Sequence, residues 1–84
     1  MSELAFKIRR LRELQQLSQE DMAFELGISQ PAYSKIERGK TELGVHRLQR
    51  IADVLKCSTG DLMEKSVGEL MKQYIDWNLF PSRR

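Results

Sequence analysis

Gln30, Ser34 and Lys35 place a carboxamide, a hydroxyl and an ammonium four and five residues apart on one run of helical periodicity. A carboxamide carries a donor and an acceptor side by side, the pairing needed to match a base edge, and an ammonium suits the paired acceptors O6 and N7 of guanine. Pro31 has no N–H to give and offers only apolar contact to a thymine methyl. These four residues form the expected base-reading set. Arg38, Lys40 and Thr41 follow closely, and a cation or hydroxyl in the loop after a reading helix suits phosphate oxygens, which fix register without carrying sequence information.

Two short helices joined by a tight turn, over 18–39, must hold those side chains. Ser18 precedes an apolar-periodic run and has Asp21 three residues on, so hydroxyl and carboxylate can satisfy orphan amides reciprocally. Ser29 repeats the cap eleven residues later, and Pro31 then falls in the first turn, where an N–H would have no intrahelical partner. Gly27 supplies the residue tolerant of positive φ at the end of the first helix of the pair. Ala23 allows a close crossing, and Met22, Leu26, Ile28, Tyr33 and Ile36 can close a shared core. The reading helix spans about 30–38 and stops at Gly39. Before the pair, a helix near 3–15 turns Leu4, Ile8 and Leu11 inward; after it, a helix near 45–55 lines up Val45, Leu48, Ile51, Ala52 and Leu55. Ser58 and Asp61 start a short fifth helix, and no strand is predicted.

The runs KIRRLRELQQLSQEDMA, GISQPAYSKIERGK and LQRIADVLKCSTGDLM, from Lys7 to Met63, are similar in order and spacing to the lambda-repressor-like, Xre-type helix-turn-helix regulators. The resemblance covers about two thirds of the chain and implies an all-α, five-helix DNA-binding domain that regulates transcription. By the same resemblance Gln30 meets an adenine bidentately, Gln19 at the start of the second helix contacts a phosphate, and Arg12 pairs with Glu37 as a partly buried structural ion pair joining helix one to helix three. The chain departs from the family at three points. Gln16 stands where glycine is common, which costs about 1 kcal/mol at a left-handed helix end. Leu43 and Gly44 replace Pro-Ser, with Gly44 still an acceptable N-cap. Tyr33 replaces an aliphatic, and its ring is expected in the core with the hydroxyl directed to solvent or a phosphate.

The 84 residues are enough for one small core. The net charge of +2 is modest, and its placement is what matters: Lys7, Arg9, Arg10 and Arg12 crowd the first helix, whereas Glu20, Asp21 and Glu25 make the second acidic. The single histidine, His46, and single cysteine, Cys57, provide neither a metal-ligand cluster nor a catalytic triad, and no glycine loop cradles a phosphate. The expectation is therefore no enzyme, no metal and no cofactor. With no secretory n-region and h-region pair and no apolar run of about 20 residues, a cytoplasmic location without membrane contact is expected.

The segment 64–84 lies outside the resemblance yet holds Tyr74, Trp77 and Phe80, half of the six aromatics. Val67, Leu70, Met71, Tyr74 and Ile75 follow helical spacing, which predicts a sixth helix near 66–77, ending before Pro81. The expected organisation is a DNA-binding domain over 1–63 and a dimerisation segment over 64–84, with Val67, Leu70, Met71, Tyr74 and Trp77 at the interface. Packing of this stripe on its own domain is the other possibility. The partners expected are double-stranded DNA, a second copy, and a toxin or polymerase as protein partner. The main function expected is a repressor acting on an inverted repeat; the alternatives are an antitoxin and an interaction module without DNA binding.

Overall fold

Serine hydroxyls start most of the helices in this chain. In the computed structural model, which describes residues 2–79, six helices follow one another without a strand among the described residues. They are α1 (Glu3–Leu14), α2 (Gln19–Leu26), α3 (Gln30–Glu37), α4 (Val45–Val54), α5 (Thr59–Glu64) and α6 (Val67–Leu79). Ser2, Ser18, Ser29 and Ser58 each accept from the amide three residues on, that of Ala5, Asp21, Ala32 and Asp61 respectively. Ser66 and Glu69 form a reciprocal cap at the start of α6, at 3.1 and 2.9 Å. That S-x-x-E spacing was legible in the sequence and marks the helix start sharply. Gly44 begins α4 without any side-chain cap.

The helix ends use the left-handed region. Gly27 and Gly39 sit there at φ 68° and 69°, where glycine has no Cβ to strain. Gln16 and Lys56 adopt it as well, at φ 59° and 61°. In each of the latter cases the next amide reaches back to close the helix, Leu17 N to Arg12 O at 3.1 Å and Cys57 N to Ala52 O at 3.0 Å. The last turn is thus satisfied at the cost of about 1 kcal/mol of backbone strain at each non-glycine residue.

One core joins all six helices, with Ile8, Met22, Tyr33, Ile51 and Leu62 fully buried and Leu70 at 2 % exposure. Two expectations change here. Val45 is 69 % exposed, because it opens α4 and its side chain projects beyond the layer that Leu48 and Ile51 bury. Leu70 belongs to the same core as Ile8 and Leu11, with α6 packed on α1, so it is unavailable to a partner. Met71 is half-buried against that core, and Val67 and Tyr74 are also half-buried, whereas Ile75, Trp77 and Leu79 are exposed. Phe80 and Pro81 lie outside the described residues.

The basic run on α1 also divides. Lys7 is 5 % exposed, and its ammonium donates to the carbonyls of Leu62 at 3.2 Å and Met63 at 3.5 Å near the end of α5, with Glu3 at 3.6 Å. It ties α5 to α1 by filling carbonyls that a short helix leaves open. Arg9 and Arg10 stay exposed and meet only Glu13 at 3.4 and 3.3 Å.

Leu70→Ala is expected to lower stability by about 2–5 kcal/mol, the usual cost of emptying a buried leucine site, and truncation after Glu64 to lower it further. Urea denaturation followed by circular dichroism measures both. Parent-like midpoints would mean that α6 is dispensable to the core.

Candidate nucleic-acid interface

The α2–α3 crossing is close because the residues at it are small or left-handed. Ala23 is 4 % exposed, and Ile28 N donates back to its carbonyl at 3.0 Å, turning the chain tightly through Gly27. α3 then lies across α2 and α1 with Tyr33, Ile36 and Glu37 inward.

Glu37 is the centre of a polar network that runs from the core to the surface. It is 3 % exposed, and Arg12 grips it through both carboxylate oxygens, Nε to Oε2 at 2.5 Å and Nη2 to Oε1 at 3.1 Å. Arg12 Nη1 donates to Leu17 O at 2.8 Å, so the same guanidinium also holds the α1–α2 turn. The Tyr33 hydroxyl donates to Glu37 Oε2. This corrects the expectation that it faces solvent or a phosphate: one turn of α3 separates the two residues, and the buried carboxylate is the nearest acceptor. Gln19 Nε2 donates to Glu37 Oε1 at 3.2 Å, and Gln30 Nε2 donates to Gln19 Oε1 at 3.4 Å.

Burial pushes the Glu37 carboxyl up, but hydrogen bonds from Arg12, Tyr33 and Gln19 with the Arg12 charge outweigh it, leaving the group below its ordinary value of 4.5. Burial, then the neighbouring carboxylate, raises the Tyr33 phenol far above its ordinary range, so it remains a donor.

Outward from this network, Gln30, Pro31 and Lys35 are exposed and Ser34 is half-exposed along one side of α3. Gln19 lies beside Gln30 because each opens its helix immediately after a serine cap, eleven residues apart. That equal placement was a readable signal for the contact. Arg38, Lys40 and Thr41 are exposed after α3. Lys35 and Thr41 share a shallow concavity of about 330 Å³ with Arg47 of α4, whereas Arg38 and Lys40 do not line it. Arg47 was missed in the sequence. It stands three residues after Gly44, in the first turn of a helix whose N-terminal amides no side chain caps.

No cluster of three or more His, Cys, Asp or Glu residues could hold a metal ion among the described residues. Cys57 is half-buried, and burial with Asp61 and Asp53 pushes its thiol up to about 11, away from nucleophile chemistry. No helix of the described residues is long and apolar enough to cross a membrane.

These features, a capped helix pair whose second helix is braced by a buried polar network, define a DNA-binding regulator of the lambda-repressor-like class. The chain belongs to the helix-turn-helix family, whose sequence profile matches residues 8–62. It is similar in structure to the DNA-binding domain of the P22 C2 repressor, with a TM-score of 0.70 and 27 % identity over 77 % of this chain and 88 % of that one. It shares its fold with the clp gene regulator ClgR from Corynebacterium glutamicum, at a TM-score of 0.71 and 22 % identity over 92 % of this chain and 82 % of that one. No curated protein matches it in sequence.

Arg12→Ala is expected to cost about 3–5 kcal/mol in chemical denaturation, since it strands Glu37 as a buried charge. Converting both residues to apolar ones of similar volume should recover much of this; parent-like stability in the single variant would contradict the pairing.

Because the folded Glu37 lies below its unfolded value, its contribution is full above about pH 4.5 and fades as pH falls through the folded value. The difference in Tm between the parent and Glu37→Gln should therefore narrow as pH drops below that point. A gap that stays constant to about pH 3 would show that the carboxylate charge contributes nothing.

Proposed function

We propose that this chain is a sequence-specific transcriptional repressor that binds an inverted-repeat operator as a homodimer. The observation that carries the reading is the exposed Gln30 carboxamide held by Gln19, which Glu37 and Arg12 hold in turn. A base-reading side chain must arrive in a fixed orientation for a bidentate pair to discriminate, and a brace at the helix start supplies it. α3 enters the major groove; Gln30, Ser34 and Lys35 read base edges, and Pro31 faces a thymine methyl. Gln19, Arg38, Lys40 and Thr41 take phosphates, with Arg47 added to that set because it shares the concavity beside Lys35.

Homodimerisation is supported by the exposed Ile75, Trp77 and Leu79 near the end of α6. Two reading helices must meet the same face of the duplex about 34 Å apart, a spacing that a symmetric pair provides. A bound dimer represses by occupying a promoter. Selection of bound sequences from a random duplex pool tests the whole reading: enrichment of an inverted repeat supports it, and no enrichment sinks it.

Gln30→Ala should weaken binding to the selected sequence by about 1–3 kcal/mol and relax preference at one position of each half-site, with non-specific affinity nearly unchanged. Equal losses on selected and random duplexes would remove Gln30 from the reading set.

Lys40→Ala should weaken binding to all sequences and reduce the slope of log affinity against log salt by about 0.9 for one lost phosphate contact. Filter binding across a salt series measures this. An unchanged slope would exclude Lys40 as a phosphate ligand.

A further inference from the structure

The donors around Glu37 saturate its carboxylate. Each oxygen offers two lone pairs: Oε2 accepts from Arg12 Nε at 2.5 Å and from the Tyr33 hydroxyl, and Oε1 from Arg12 Nη2 at 3.1 Å and Gln19 Nε2 at 3.2 Å. With the other places filled, the Gln19 amide has one acceptor site to meet. Tyr33 closes the last place on Oε2, and its exposure of 0 % keeps the hydroxyl there and rules out contact of its own with DNA.

Polarity then passes outward from one side chain to the next. Glu37 lies below its ordinary value of 4.5, so at neutral pH it is ionised and only accepts, and Gln19 must turn its NH2 inward and its carbonyl outward. That carbonyl takes an N–H from Gln30, Nε2 to Oε1 at 3.4 Å. One N–H and the carbonyl of Gln30 remain for a base. This donor and acceptor match the edge of adenine, where N6 donates and N7 accepts; guanine offers acceptors at both O6 and N7 and would set O6 against the Gln30 carbonyl. A carboxamide free to turn over can give its NH2 to guanine instead.

We propose that Glu37, closed by Arg12 and Tyr33, fixes the polarity of Gln30 through Gln19 and so makes this chain select adenine over guanine at the position Gln30 reads. Glu37 and Tyr33 are positioning residues, since neither meets the base. The proposal rests on the reading of Gln30 as a base contact, and adds what enforces the choice of base. Removing the Tyr33 hydroxyl opens a second acceptor place on Oε2, so Gln19 divides its N–H between two oxygens and Gln30 loses its fixed partner.

The duplex enriched from the random pool supplies the probe, together with versions in which each position in turn carries every other base. Competition binding to the full chain gives the base preference at each position for the parent, Gln30→Ala, Tyr33→Phe and Gln19→Met. The position whose preference Gln30→Ala abolishes is the one Gln30 reads. Adenine is the base expected there, and its preference over guanine should fall about threefold in Tyr33→Phe and about tenfold in Gln19→Met, within the discrimination one bidentate pair supplies. Preferences at the other positions should stay as in the parent. An unchanged ratio at that position in either variant overturns the relay and leaves Gln30 as a reader, as does a preferred base other than adenine. Equal lowering at every position would also overturn it, since a merely structural role loosens the whole interface. Should Tyr33→Phe fail to fold, Gln19→Met decides alone, being a change at a half-exposed residue. If Gln30→Ala abolishes no preference, the base-reading role itself fails and the proposal falls with it.

Discussion

A carboxylate at 3 % exposure can remain charged only if other groups replace the water it lost, and Glu37 meets that demand with four donors from three helices. Arg12 comes from α1, Gln19 from α2 and Tyr33 from α3 itself. Each donor is thereby fixed relative to the others, so one buried charge sets the mutual orientation of α1, α2 and α3. Stability alone does not account for such an arrangement, since a well-packed apolar cluster of the same volume serves that purpose at least as well. Directionality does account for it. Apolar contacts tolerate sliding and rotation, whereas a bidentate guanidinium–carboxylate pair has one geometry.

The same logic recurs at the edges of the fold. Short helices leave carbonyls open at their C-termini, and long polar side chains from other elements fill them. Lys7 reaches the end of α5, Gln15 donates to Leu55 O at 2.7 Å at the end of α4, and Arg50 donates to Glu25 O at 2.7 Å near the end of α2. Among the described residues no buried side-chain nitrogen or oxygen is left without a partner. A domain with so small a core thus gains definition from directional contacts at the helix ends as well as from burial.

α6 is buried unevenly along its length. Leu70 and Met71 pack on the domain, and the following turns leave Ile75, Trp77 and Leu79 at the surface; Trp77 also lines a groove of about 670 Å³ between α6 and the α4–α5 junction. The groove is lined from α6 and the α4–α5 junction, and none of its lining residues belongs to α3.

Local chemistry determined the elements. Serine caps three residues ahead of their amides, glycines at Gly27 and Gly39 and the apolar periodicity placed the six helices to within a few residues, because caps and turns depend on neighbours in sequence. The residues on the outer side of α3 were legible for the same reason: helical period alone separates them from Tyr33 and Ile36. Tertiary structure decided the rest. Period put Leu70 on the same stripe as Tyr74 but could not say that Leu70 would be buried in the core while Tyr74 stayed only half-buried. The sequence grouped Lys7 with the basic run of the first helix, yet the end of α5 lies within reach and offers it two carbonyls. The hydroxyl of Tyr33 found a carboxylate whose burial depends on three helices meeting, and Arg47 came to share a concavity with Lys35 only once α4 had packed on α2. A sequence lists donors, acceptors and apolar faces in order along the chain; which of them meet is set by distances that exist only after the core has closed.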